Sequence, residues 1–491
     1  MFGLFKRENS TKEESKRPLY KDLKKNTEEV KKMFSHGVNS DFVYRKVTSN
    51  TNKEVSIFFY ASIVNSQKIY DGIIKPLFES EKENLRSVII LEDLAESYDF
   101  DQVESDINSG KAVIFEENRD RAYAVDVAEF QHRAVEKPEN ESVVKGPQEA
   151  FTESVSVNLS LIRKKIHDKQ LIAETVEIGE RAKQAVTVMY VSDLVNQDTL
   201  KNVRERLNAI SVDNVRNIEI LEQHIEERPY SIIPTLLYTE RSDRAASFLE
   251  EGFIVLMMNN SSACLILPVT FWSFFHTPED RYLRFLFGNF SRIIRFLALI
   301  ITLFISAVYV AITNYHSEMI PPDLLLAITS ARERVPFPGV FEVLLMEISF
   351  ELIREAGLRI PNPLGPTIGI VGALILGQAA VEANIVSPII VIIVALSGLS
   401  SFAMANISLN YTIRITRFIF IMAASFFGMF SLMGAFLLWL MYLASLKSFG
   451  TPFFAPLSPR YPSARDTIFR KTAIKEMLRP GFVKPQDMKK K

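Results

Sequence analysis

Between Ile360 and Val381 the chain carries no charged residue. A bilayer takes about 20 apolar residues to cross, so this run is long enough to span one. It is dotted with Gly365, Gly369, Gly372 and Gly377, and it follows Pro361 and Pro363. Proline lacks the N–H and clashes with the preceding turn, so a helix before it must end there. That earlier helix places Glu347, Glu351 and Glu355 at i, i+4 spacing with Arg354 beside them. Phe341, Leu345, Ile348 and Leu352 lie on another side. An acidic amphipathic helix is thus joined to an apolar, small-residue helix at or beside membrane depth.

The remainder divides in two. The first 240 or so residues are rich in Lys, Glu, Asp and Arg, whereas Phe296 to Leu446 is apolar with few charges. A soluble half followed by a membrane half is expected, and 491 residues predict more than one domain. The formal net charge is −1, which gives no nucleic-acid footprint. Cys264 is the only cysteine, so no intrachain disulfide or thiolate metal cluster is available. The start, MFGLFKRENSTKEESKR, has no continuous apolar core of a signal peptide. The soluble half is therefore expected on the cytoplasmic side.

Within that half a pattern recurs. Ser56 to Asn65 aligns with Thr187 to Asn196, each a β-rich run leading toward a helix. Gly110 to Val125 and Gly252 to Leu267 are both Gly-led hairpins. Two α/β subdomains of one design follow. Phe253 to Phe275 lacks charge, yet Asn259-Asn260-Ser261-Ser262 is a turn cluster at its centre, which predicts a hairpin over a spanning helix. Asn158 to Lys165 reads as a basic amphipathic helix, either solvated or facing a partner or anionic lipid.

The expected division is a charged N-terminus (1–40), a first α/β subdomain (41–143), a linking helix region (144–183) and a second α/β subdomain (184–280). A helical multi-pass membrane domain (281–450) and a basic tail (451–491) follow. Arg281, Arg284, Arg292 and Arg295 precede the first spanning helix, Phe296 to about Tyr315, and mark its cytoplasmic flank. Two further apolar runs cover Ala383–Ile413 and Phe418–Leu446. If all four apolar runs cross, Arg414 and Arg417 fall outside, against the positive-inside rule. If Ile360–Val381 only re-enters, the tail falls outside instead. A further crossing by the segment in the 320s to 350s reconciles both.

No GxxxxGK[ST] loop, HExxH or GxSxG is present, and the histidines show no metal-ligand spacing, so neither an enzyme nor a cofactor is expected. The acidic row Glu347, Glu351, Glu355 has two readings. It is a vestibule that attracts cations, or a helix whose carboxylates meet water or arginine partners such as Arg354 and Arg359. The glycines permit close helix approach, either inside one subunit or in a ring of copies. In a ring, Val371 and Leu374 would narrow the centre beside Gly372, with Gln378 and Glu382 at its mouth.

Four stretches carry a family resemblance. They are VKGPQEAFTESVSVNLSLIRKKI, TERSDRAASFLEEG, SARERVPFPGVFEVLLMEISFELIREAG and GLRIPNPLGPTIGIVGALILGQAAVEAN. Together they closely resemble A subunits of GerA-family germinant receptors of endospore-forming bacteria, from about Val144 to Pro456. The resemblance implies residence in the spore inner membrane and assembly with a permease-like B subunit and a lipoprotein C subunit. It also implies a homo-oligomer that conducts ions during nutrient-triggered germination. The paralogous stage V AF-type sporulation protein shares the membrane motif. A secondary transporter is the competing class, but transporters repeat within the membrane half, and here the repeat lies in the soluble half.

Overall fold

The computed structural model describes residues 17–80, 84–91, 94–129, 137–138, 141, 143–358, 365–461 and 466–490. Arg359 and the two prolines Pro361 and Pro363 lie outside the described residues.

The soluble half contains two five-stranded antiparallel sheets. The first is built from β1 (Phe42–Thr48), β2 (Glu54–Tyr60), β3 (Leu94–Ser97), β4 (Lys111–Glu116) and β5 (Ala122–Asp126), in the order β1-β2-β4-β5-β3. The second uses β6 (Leu171–Ile178), β7 (Gln184–Val191), β8 (Leu237–Thr239), β9 (Ile254–Met258) and β10 (Cys264–Leu267), in the order β6-β7-β9-β10-β8. The same strand order with the third strand carried to the far edge is the duplication in three dimensions. Each Gly-led hairpin pairs its two strands directly, Ile114 opposite Tyr123 and Leu256 opposite Leu265.

Phe253–Phe275 folds as the hairpin its turn cluster predicts, with Asn260 at φ 62°. The lack of charge has a physical cause: both faces of this hairpin are buried. Val255, Met257, Cys264 and Ile266 join the core that continues into the helical half. Ile254, Leu256, Met258 and Leu265 face a second core under the helices Gln197–Asn208 and Ile218–Ile225.

The linking helix, Val155–Arg163, is neither solvated nor free for lipid. Leu159, Leu161, Ile162 and Arg163 are buried, and Arg163 pairs with Asp41 and lies 3.7 Å over the Tyr60 ring. Ser40 donates backbone N–H to Ala173 O at 2.8 Å, tying the first sheet's entry to β6. The N-terminal region also contains an ordered helix, Leu23–Met33, capped by Asp22 and burying Leu23 and Val30.

The helical half contains α1 (Phe285–Tyr315), α2 (Pro322–Arg332), α3 (Gly339–Leu358), α4 (Gly365–Glu382), α5 (Pro388–Ser401), α6 (Ile407–Phe427) and α7 (Met429–Ser445). Among the described residues α1 is the one helix long and apolar enough to cross a membrane; the apolar part of α4 described here, α5 and α7 are shorter apolar helices. The two apolar runs expected after residue 382 are instead three helices. Pro388 opens α5, Asn406 caps α6 by accepting from Leu409 N–H, and Gly428, at φ 64°, separates α6 from α7.

Contacts fix the helix directions. α1 leaves the soluble half and ends beside the α6–α7 junction, where Tyr315 donates to Ser425 O and His316 Nε2 accepts from Met429 N–H. α6 starts against the soluble half, with Thr412 donating to Ile232 O, and α7 returns to it, with Ser445 accepting from Arg228. α3 runs opposite to α1. Its beginning (Glu342) meets Ser387, and its end (Arg354) meets Gly398 and Ser401. α4 therefore runs away from the soluble half, and α5 runs back.

The residues after 446 are not a loose tail. Asp466 pairs with Arg292, Phe482 packs against Phe253, and Lys490 pairs with Glu251 at 2.8 Å. Arg292 and Arg295 are likewise engaged by Asp280, at 3.2 and 3.0 Å, inside the joint between the two halves.

Candidate functional site

α3 places Glu347 and Glu351 one turn apart on the face that meets α1, α5 and α6. Like charges at i, i+4 repel unless something offsets them. The offset comes from α6. Arg417 Nη2 lies 3.0 Å from Glu347 and 2.6 Å from Glu351, and Arg414 Nε donates to Glu351 at 2.8 Å. Arg414 and Arg417 are three apart, so one face of α6 presents both. Ser306 of α1 donates to Glu347 at 2.6 Å, and Arg417 donates to Ser397 of α5 at 2.9 Å. Glu347 and Arg417 are fully enclosed. An isolated charge at such a place is expensive, and pairing is what makes it tolerable.

Of the acidic row, then, Glu347 and Glu351 are drawn into one ion-pair network, while Glu355, a turn further on, is exposed. Their described partners are Arg414 and Arg417. Arg354, expected as a partner, turns toward α5 and donates to Gly398 O at 3.1 Å. A second network lies toward the start of α3. The buried Glu342 accepts from Arg332 of α2 at 3.3 Å and from Ser387 N–H at 2.9 Å. Sequence reasoning missed Ser306, Ser397, Glu342 and Arg332. The signal for Arg414 and Arg417 was present in their conflict with the positive-inside rule.

The apolar helix α4 has two sides. Val371 is 47% exposed and Leu374 71%, and Gln378 shares this outward side, where it donates to Glu382 at 3.1 Å. The glycines point the other way. A Cβ on Gly372 would sit 3.6 Å from Ile353, and one on Gly377 would meet Val391 at 2.9 Å. Close packing at these glycines occurs within the subunit. Val371, Leu374 and Gln378 are thus grouped together, and Gly372 is not among them. Among the described residues no group of three or more His, Cys, Asp or Glu side chains could hold a metal ion.

Residues 28–482 match the family described as Bacillus/Clostridium GerA spore germination protein. Spore germination protein KA of Bacillus subtilis is 35% identical over 97% of this chain and 89% of its own length. Spore germination protein GerLA of Bacillus cereus is 32% identical over 92% of this chain and 94% of its own. A crystal structure of the N-terminal domain of the A subunit of the Bacillus megaterium spore germinant receptor GerK3 aligns with 52% of this chain and 98% of that chain, with 24% identity and a TM-score of 0.40. With two relatives above 30% identity along nearly their whole length, and the family match spanning both the duplicated soluble half and the helical half, this chain belongs to the GerA spore germination protein family.

Proposed function

We propose that the chain is the A subunit of a nutrient-responsive germinant receptor of the spore inner membrane. In this reading it acts with a permease-like B subunit and a lipoprotein C subunit. Copies of the A subunit assemble and form or gate an ion path that starts germination. The family match supports the receptor role. The observation that carries the ion path is the outward side of α4, where Val371 and Leu374 lie exposed on a helix without charge before Glu382. An apolar side of this kind needs lipid or a neighbouring copy, and a narrow apolar ring holds back hydrated ions. The soluble half and the C-terminal segment lie on one side of the helices, which fits a cytoplasmic position for both.

Cysteine scanning across Thr367 to Val381 tests this. Water-soluble thiol reagents should label positions 371, 374 and 378 in nutrient-treated spores, and Val371→Ala should leak ions without nutrient. A scan with no accessible position in either state would exclude a pore lined by this helix. Germination of a deletion strain against amino acids, nucleosides and sugars tests the receptor role by itself.

A further inference from the structure

The two soluble subdomains are closed at the same point by different pieces of chain. In the first, β5 runs straight on into Val127, Ala128 and Glu129. Asn65 N–H donates to Val127 O and Glu129 N–H donates to Ile63 O, each at 2.9 Å. Ala128 packs over Gly110, where an added Cβ would stand 2.9 Å from the Ala128 methyl.

The sequence repeat pairs Ile63, Asn65 and Gly110 with Leu194, Asn196 and Gly252. The two glycines enter their hairpins alike, at φ 90° and 91°. After β10, however, the chain turns away toward the helical half. Val269 N–H donates to Ser448 Oγ at 3.0 Å and Phe271 N–H to Phe453 O at 2.8 Å. The closing position is taken instead by residues from the far end of the chain. Gln486 N–H donates to Leu194 O at 3.1 Å, and Asn196 Nδ2 donates to Lys484 O at 3.3 Å. Pro485 Cβ lies 3.2 Å from where a Cβ on Gly252 would stand. Lys484-Pro485-Gln486 thus stands where Val127-Ala128-Glu129 stands in the first subdomain.

The two closures differ in how they are tied. The first is continuous with its sheet. The second is joined to β10 only through the whole helical half, and longer closures cost more chain entropy. Its hold is that of a short peptide. Phe482 lies 6.0 Å from the Phe253 ring, Val483 is buried, and Lys490 pairs with Glu251 at 2.8 Å. Main-chain bonds with one or two side-chain anchors are how sheet proteins take up extended peptides.

We infer that the second soluble subdomain carries a peptide-docking site at Leu194, Asn196 and Gly252, whose occupant is the chain's own C-terminal segment, residues 476–490, held as an exchangeable peptide. Undocking also opens a cavity of about 250 Å³. Its wall is shared between Leu478, Pro480 and Phe482 of the segment and Phe248 and Trp272 of the subdomain.

The test uses the full chain in detergent and a fluorescein-labelled synthetic peptide of residues 476–490, with binding read by fluorescence anisotropy. Gln486→Pro removes the N–H that bonds Leu194, a loss of about tenfold for one backbone hydrogen bond. In the chain, this change should loosen the resident segment and raise the affinity for the peptide about tenfold over the unaltered chain. In the peptide, it should lower affinity by the same factor. Glu129→Pro makes the equivalent change in the first subdomain, where the closure is built in, and should lower the thermal midpoint of the chain further than Gln486→Pro does. Absence of peptide binding to the Gln486→Pro chain overturns the inference, as does equal affinity for the altered and unaltered chains. Equal affinity of the two peptides puts binding elsewhere and overturns it too. A midpoint that falls as far with Gln486→Pro as with Glu129→Pro makes the segment part of the fold, and the inference fails.

Discussion

Removing Arg417 should be among the most damaging single changes in the helical half. Its guanidinium serves Glu347 at 3.0 Å, Glu351 at 2.6 Å and Ser397 at 2.9 Å. In Arg417→Met, Glu351 keeps Arg414, but Glu347 keeps only the Ser306 hydroxyl at 2.6 Å. Stranding one member of a buried ion pair costs about 3–5 kcal/mol. That is a factor of about 100 to several thousand in the folded population. Replacing Glu347 by Leu in the same chain removes the stranded charge and leaves Glu351 and Arg414 balanced. The double variant should therefore recover most of the loss, because apolar replacement of a whole buried pair is often neutral or stabilising. Unfolding of the purified chain in mixed micelles by increasing SDS, read by circular dichroism for both singles and the double, gives the coupling. A coupling below about 0.5 kcal/mol, the level expected of independent sites, would refute the account of this network.

Three further outcomes are expected. Arg163→Met strands Asp41 between the two soluble subdomains, leaving it the Ser62 N–H at 2.9 Å and hydroxyl at 2.8 Å. The cost should be about 3 kcal/mol, read as a lower thermal midpoint of the full chain. Gly428→Ala forces a side chain into φ 64° and within 2.8 Å of Tyr315 Cβ and 2.9 Å of His316 Nε2. It should cost about 1–3 kcal/mol and lower the yield of folded protein in detergent. Burial at the joint pulls the His276 pKa down from 6.5 to about 4, with Arg292 helping and Asp466 opposing. The unfolded chain therefore takes up the proton first. Stability is fully present above pH 6.5 and falls as the pH drops toward 4, by at most about 3 kcal/mol. His276→Gln should flatten this acid slope in urea unfolding; an unchanged slope would assign it to other groups.

The sequence was most legible where one residue type forces the backbone. The two hairpins, the turn at Asn259–Ser262 and the helix after Asn196 all follow from local chemistry. The edge strands β1 and β6 were missed because exposed polar residues interrupt their apolar content, as at Arg45, Lys46, Thr175 and Glu177. Half their pattern therefore looks like loop. The linking helix was misjudged because Arg163 looks solvated in sequence, while its partner Asp41 lies 122 residues earlier. The ordered C-terminal segment was illegible for the same reason. Its basic residues read only as a basic tail, but Arg470 donates to the Leu283 carbonyl at 2.7 Å and Asp466 is held by Arg292. Glu347 and Glu351 stood out at once, whereas the helix that neutralises them could not be chosen without the tertiary contacts.

The direction of α3 supplies the return pass that four apolar runs alone lack. Four crossings alone would leave both arginines on the wrong side. But α3 returns toward the soluble half before α4 leaves it again, so α5 also returns and α6 begins beside Ile232. Arg414 and Arg417 are the eighth and eleventh of the 21 residues of α6, so the pair lies near the middle of that helix. The acidic row on α3 follows from the same geometry. A helix with Glu342, Glu347 and Glu351 is too polar to face lipid alone, and hydropathy passes over it. Packed against α1 and α6, it needs basic partners at matching depth, and Arg414 and Arg417 supply them. The unusual acidity of α3 and the unusual basicity of α6 are therefore one feature: each helix is stable at this depth because the other is beside it. Motion of α3 relative to α6 would expose both sets of charges together, so any rearrangement that preserves the network must move the two helices as a unit.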